Sequence, residues 1–237
     1  MTKKIKYLQV REKPNQRTEL VILHGNKDLT FLHPAYGPNI YAHVAQEIGS
    51  ASLQRPTMAE TASLVHAAFN ADDKYSQEIK NIMKRSLLWA FTGNMYVPHQ
   101  GVFIEDNPVI KEYVICMDKE DLITRLEKND PSVRFVPFGF QIETMAPMEL
   151  AKNAYVIALA GEEGVEKLAE VAGKHRHQPY LRSFIDVDEP ITQVSALSSS
   201  WDGGDHRLIV IGNSYGSCGD YSAFGIQRTD EASLTRQ

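Results

Sequence analysis

Cysteine is almost absent from this chain of 237 residues: Cys116 and Cys218 are the two, with no framework spacing between them. A disulfide-stapled secreted fold is therefore excluded, and so are the Cys-x-x-Cys and His-x-x-x-His signatures of zinc sites. No apolar run approaches the ~18 residues that a membrane-spanning helix needs. The opening MTKKIKYLQV has charge but no apolar stretch of the signal-peptide kind. The formal charge of −5 gives no overall attraction to nucleic acid or an acidic membrane. Repeats and low-complexity segments are missing too. These absences lead to the expectation of a soluble, cytoplasmic, non-membrane protein.

What is present is ordinary globular composition, 43% hydrophobic and 23% charged. Residues 3–11 and TELVILHG read as an N-terminal strand pair, and LHPAYGP within 28–38 reads as a loop. A short helix is expected from Asn39 to Ile48. Thr57-Met58-Ala59-Glu60 is a capping box opening a helix with Met58, Ala62, Val65 and Phe69 on one face. A further helix is expected over 76–90, then strands in NMYVP, GVFIED and VIKEYVICM. Asp118 opens a helix to Lys128, VRFVPFGFQIE returns to strand, and Gly161 separates helices at 147–160 and 162–172. From Tyr180 only strands and turns are legible. The expected fold is α+β: a mixed or mainly antiparallel sheet with helices on one face and a β-rich C-terminal third arranged as a meander. It is read as one domain over 1–228, with 180–228 as a candidate subdomain and 229–237 as a frayed tail.

Two motifs suggest nucleophiles. Gly212-Asn213-Ser214-Tyr215-Gly216 follows a strand and resembles the G-x-S-x-G elbow of α/β-hydrolases, which implies Ser214 as nucleophile. LVILHGN at 20–26 resembles the strand that feeds the oxyanion hole of the same family. Against this stand the missing helix after Ser214 and the absence of any later histidine, so only a permuted hydrolase reconciles both. Gly216-Ser217-Cys218-Gly219 resembles the G-x-C-G of chymotrypsin-like viral cysteine proteases, which implies Cys218 as nucleophile. Too little chain follows it to complete that barrel. The competing reading makes 201–205 and 213–220 turns of a three-stranded meander.

Histidines and carboxylates supply the remaining candidates. His24 ends a strand beside Asn26, Asp28 and His33. His99 is a candidate general base, oriented by Glu105 or Asp106. His66 is expected on a solvated face. His175-Arg176-His177 and Asp186-Val187-Asp188 are candidate metal ligands, for zinc and for Mg²⁺ or Ca²⁺ respectively, against the simpler roles of helix-end and strand-end charges. Lys3, Lys4, Lys6 and Arg11 make a basic start, either a solvated strand edge or a phosphate-binding arm. No cofactor-binding motif is present. The leading reading is a non-catalytic binding or assembly protein whose partner the residues do not name. Its rivals are a hydrolase using a His/carboxylate or metal site, and nucleic-acid binding through the basic strand.

Overall fold

The structure is a computed structural model describing residues 7–199 and 206–227. Strands β1 (Leu8–Arg11) and β2 (Thr18–His24) form the expected antiparallel pair. Then come β3 (Lys27–Asn39), α1 (Tyr41–Ser50), α2 (Met58–Phe69), α3 (Lys74–Arg85), β4 (Leu88–Val97) and β5 (Gly101–Asp106). A small ribbon, β6 (Val109–Lys111) and β7 (Val114–Cys116), precedes α4 (Lys119–Glu127) and β8 (Val133–Pro137). The chain continues through β9 (Glu143–Thr144), α5 (Pro147–Leu150), α6 (Ala154–Ala172), β10 (Tyr180–Arg182), β11 (Ile191–Ser198), β12 (Ile209–Ser214) and β13 (Tyr221–Ile226). Lys3, Lys4, Lys6, the expected turn at 201–205 and the expected tail at 229–237 lie outside the described residues.

The strands other than the ribbon make one mixed sheet in the order β1-β2-β3-β13-β4-β11-β12-β10-β9, with β5 on β4 and β8 on β5. Most pairings are antiparallel; β10–β12 and the single β13–β4 contact are parallel. Helices α2, α3, α5 and α6 pack on one face, as expected. The opposite face is covered by α1 and the ribbon, and farther along by α4.

Strand β4 decides this layering. Its even positions Leu88, Ala90 and Tyr96 enter the core under α2, α3 and α6. The odd positions Trp89 and Phe91 enter the core under α1, and Val97 the one under α4. A strand buried on both faces shows no polar alternation, which is why LLWA reads as helix from sequence. The helix expected to reach Ala90 in fact ends at Arg85.

Three further expectations are corrected. LHPAYGP is not a loop but part of β3. Its prolines fit because the β2 register ends at Thr18↔His33, so beyond His33 that edge of β3 has no ladder for a missing N–H to break. VIKEYVICM is a hairpin, turning at Glu112–Tyr113 without the usual glycine or asparagine. In the C-terminal third, β11 and β12 pair as a meander requires. β13 then leaves and lies between β3 and β4. Residues 222–226 are all buried, and that burial needs neighbours on both edges and both faces. By contrast the Thr57–Glu60 capping box is present as read, and Gly161 interrupts α6 at φ 72°.

The helical layer is pinned to the sheet by hydroxyls. Tyr155 of α6 donates to Asn94 Oδ1 at 2.8 Å, and Asn94 Nδ2 donates to Ser195 Oγ at 2.7 Å. Tyr96 donates to the Gly212 carbonyl at 3.0 Å, so the Ser183 hydroxyl 2.9 Å away is left as donor to Tyr96. The two phenol oxygens lie 3.1 Å apart. Burial holds both phenols neutral, pushing Tyr96 up to about 12 and Tyr155 well above its ordinary value. Gly212 makes room for this: a Cβ there would lie 1.7 Å from Tyr155 Oη. Gly212→Ala should lower unfolding stability in urea by about 1–3 kcal/mol, the usual cost of overpacking. Gly219→Ala, with no atom within 4 Å of its Cβ position, should leave the midpoint unchanged. Equal behaviour of the two variants would contradict this account of Gly212.

Candidate functional site

The catalytic candidates do not gather in one place. His99, in the β4–β5 turn, does find a carboxylate, but neither expected one. Its ring Nδ1 lies 2.7 Å from Asp186 Oδ2, and its backbone N–H donates to Asp186 Oδ1 at 2.9 Å. Glu105 is held by Arg125, and Asp106 by Arg134 and Thr92. Those two carboxylates are engaged with guanidinium groups on opposite faces of the sheet, Glu105 toward α4 and Asp106 toward α6, and do not orient His99. The His99 side chain is 79% exposed.

His24 meets Ser63 Oγ at 2.8 Å, and Lys167 donates to the same oxygen at 2.9 Å. Ser63 is buried, so this cluster joins the β2–β3 turn to α2 and α6 and offers no open nucleophile. Glu163 completes the join by accepting from Gly25 N–H at 3.0 Å. Its carboxyl is held low, chiefly by Lys167. His66 is not solvated: α6 covers that side of α2, and His66 Nε2 lies 2.6 Å from Glu170.

Ser214 ends β12 opposite Val194, and Cys218 is an exposed free thiol beside Tyr221. His24, His33, His43, His66, His99 and His175 all hydrogen-bond elsewhere. His175 Nδ1 lies 2.9 Å from the Val171 carbonyl, at the end of α6. Desolvation lowers its pKa. Among the described residues no three His, Cys, Asp or Glu side chains are placed to hold a metal ion, so His175, His177, Asp186 and Asp188 belong to no such group. Arg11 lies 3.9 Å from Glu19, which Lys13 also contacts, so Arg11 has a partner within its own hairpin.

A concave surface lies elsewhere. A cleft of about 1050 Å³ runs between α1, the segment from Leu53 to Thr57, and the β6–β7 ribbon. Ala42, Ala45 and Gln46 line it from α1, Arg55 from the segment, and Ile110 and Tyr113 from the ribbon. The ribbon register explains its two faces. Ile110 and Ile115 are partners and pack toward the core under α1, while Val109, Val114 and the tip residue Tyr113 remain 53%, 63% and 62% exposed. Glu112 and Tyr113 both have positive φ, 49° and 67°. Tyrosine in that region is uncommon and costs on the order of 1 kcal/mol or more. The Tyr113 ring meets His43 of α1 edge-on at 4.8 Å, so the tip is held against the helix. None of these residues stands out in the sequence. The one trace is a two-residue turn made without turn residues.

Comparison with known proteins supplies no relative: no protein-family model matches the chain, and no curated protein or solved structure resembles it significantly. Among the described residues no helix is long and apolar enough to cross a membrane.

The His99–Asp186 contact has a defined pH response. The backbone N–H of His99, then that of Val187 and the His99 ring, hold the Asp186 carboxyl below its ordinary 3.8. A carboxylate depressed in the fold stabilises fully above its unfolded value and loses that contribution as pH falls through its folded value. The carboxyl carbon of Asp186 should therefore titrate below 3.8 by NMR, with protection of the His99 amide lost over the same interval. A midpoint at or above 3.8 would refute the clamp.

Proposed function

We propose that this chain is a binding protein, non-catalytic in itself, which takes its partner or ligand in the cleft between α1 and the β6–β7 ribbon. The observation carrying this reading is the ribbon tip. An unfavourable backbone at Glu112 and Tyr113 keeps Tyr113 at the mouth of the cleft, with exposed Val109 and Val114 beside it. Strain of that kind persists where the surroundings over-determine it, and it concentrates at binding surfaces. Large apolar side chains around a concave, partly polar floor are what recognition sites generally offer. The insertion of β13 between β3 and β4 supports treating the chain as one working domain. Two exposed free thiols fit a reducing setting, so the proposed location is the cytoplasm.

A second reading rests on His99. With Nδ1 on Asp186, Nε2 is left outward, as a general base requires. Mapping with small organic probes separates the two readings. Isopropanol and phenol, titrated into the ¹⁵N-labelled chain, should shift amides of α1, Arg55, Asn107 and the ribbon. The paired substitution Val109→Asp with Tyr113→Ala should disperse those shifts. Shifts gathered around His99 and Ile185 instead would favour the general-base reading, and shifts in neither place would defeat both.

A further inference from the structure

We propose that Arg55 is the seat of an oxyanion, a carboxylate or phosphate carried at one end of a larger ligand in the cleft. The proposal rests on the cleft being the binding site and adds the class of molecule bound there. Three features of Arg55 support it.

The first is rigidity. Gln54 and Ile226 exchange both backbone hydrogen bonds, at 2.8 and 2.9 Å, and the Pro56 carbonyl accepts from Phe91 N–H at 2.7 Å. Arg55 therefore sits between two backbone clamps that tie its segment to β13 and β4. The second is lack of a counter-charge. Its guanidinium lies 5.7 Å from the Phe91 ring centroid, and Nη2 reaches the Asn107 carbonyl only at 3.4 Å. Among the described residues it makes no ion pair, whereas Arg125 holds Glu105, Asp121 and Asp130, and Arg134 holds Asp106. A guanidinium stays charged at any working pH, and partial burial without an anion is unfavourable until a ligand supplies one.

The third feature is the surroundings. Glu60, the nearer acidic residue in sequence, has its Oε2 committed to Thr57 N–H at 2.7 Å in the capping box. Glu112 stands on the exposed rim. The Tyr41 hydroxyl is buried and finds no hydrogen-bond partner among the described residues; both Arg55 and Asp106 act on it, with opposite signs, and Asp106 is itself held by Arg134. Phosphate or carboxylate alone would leave most of a 1050 Å³ cleft empty. The anion is thus one end of the ligand, with Leu53, Ile110 and Tyr113 available to its apolar remainder.

The test uses pairs of probes that differ only in charge. The ¹⁵N-labelled chain is titrated with N-acetyl-leucine and N-acetyl-leucinamide, and with phenyl phosphate and phenol. The acid should bind at least about tenfold more tightly than the amide, with shifts at Arg55 Nε–H and the Asn107 amide, because charge-assisted bidentate contacts are the strong ones. Whether N-acetyl-leucine or phenyl phosphate gains more over its neutral counterpart identifies carboxylate or phosphate as the preferred group. Arg55→Gln should abolish the preference while keeping a folded spectrum, and Arg55→Lys should restore part of it. Equal binding of acid and amide overturns the oxyanion seat yet leaves the cleft as a binding site. So does a preference that survives Arg55→Gln. Isopropanol and phenol avoiding the cleft would remove the underlying reading itself.

Discussion

Two phenol oxygens 3.1 Å apart, Tyr96 on the central strand and Tyr155 near the start of α6, are the point through which this fold is assembled. Around them converge Asn94 and Ser195 from the central strand pair, Ser183 from the segment after β10, and the Gly212 carbonyl of β12. Buried polar groups cost free energy unless satisfied, and a satisfied network admits few alternative arrangements. Register between β4, β11 and β12 is thereby fixed relative to α6. A one-residue slip of β4 would place Tyr96 on the α4 side and leave Tyr155 with an unmatched hydroxyl.

The cleft is a consequence of the other face of the same strand. Trp89 and Phe91 project opposite to Tyr96 and build the core on which α1 lies. Tyr41 of that helix packs against both rings, at 5.4 and 4.8 Å between centroids. The ribbon adds Ile110 and Ile115 to the same cluster. Helix and ribbon thus share a floor and meet at His43 and Tyr113, and the space between them is the cleft. Phe91 has a second role there, since its backbone N–H binds Pro56 and its ring lies under the Arg55 guanidinium.

Local chemistry made parts of this architecture legible from residues alone. The capping box at Thr57, the caps of Asp118 and the break at Gly161 depend on atoms a few positions apart, and each is present where the sequence places it. The β1–β2 hairpin declares itself by strand composition either side of Pro14-Asn15-Gln16. The start of β4 does not, because burial on both faces erases the alternation that marks a strand; β13 reads as a strand, but its place between β3 and β4 does not show. Nor does the cleft, whose walls come from residues 42–60 and 107–113 and whose relation is set by contacts through β4. His99 illustrates the same limit. The chemistry of a histidine in a turn with a carboxylate was readable, but its partner lies 87 positions away in Asp186, while the nearer Glu105 and Asp106 are held by arginines.

The G-x-S-x-G stretch shows why a motif's glycines must be explained before its serine. Gly212 is small because Tyr155 occupies the space a side chain would take. Gly216 adopts φ 72°, and its carbonyl accepts the Tyr41 N–H at 3.0 Å, serving the start of α1, whose cap residue Ile40 offers no side-chain acceptor. One glycine therefore serves the layer on Tyr155's side of the sheet and the other the helix that walls the cleft. Both are accounted for by packing and capping, with Ser214 between them at a strand end opposite Val194. The spacing that resembles a nucleophile elbow arises here because β12 must admit a phenol and, four residues later, cap a helix across the sheet.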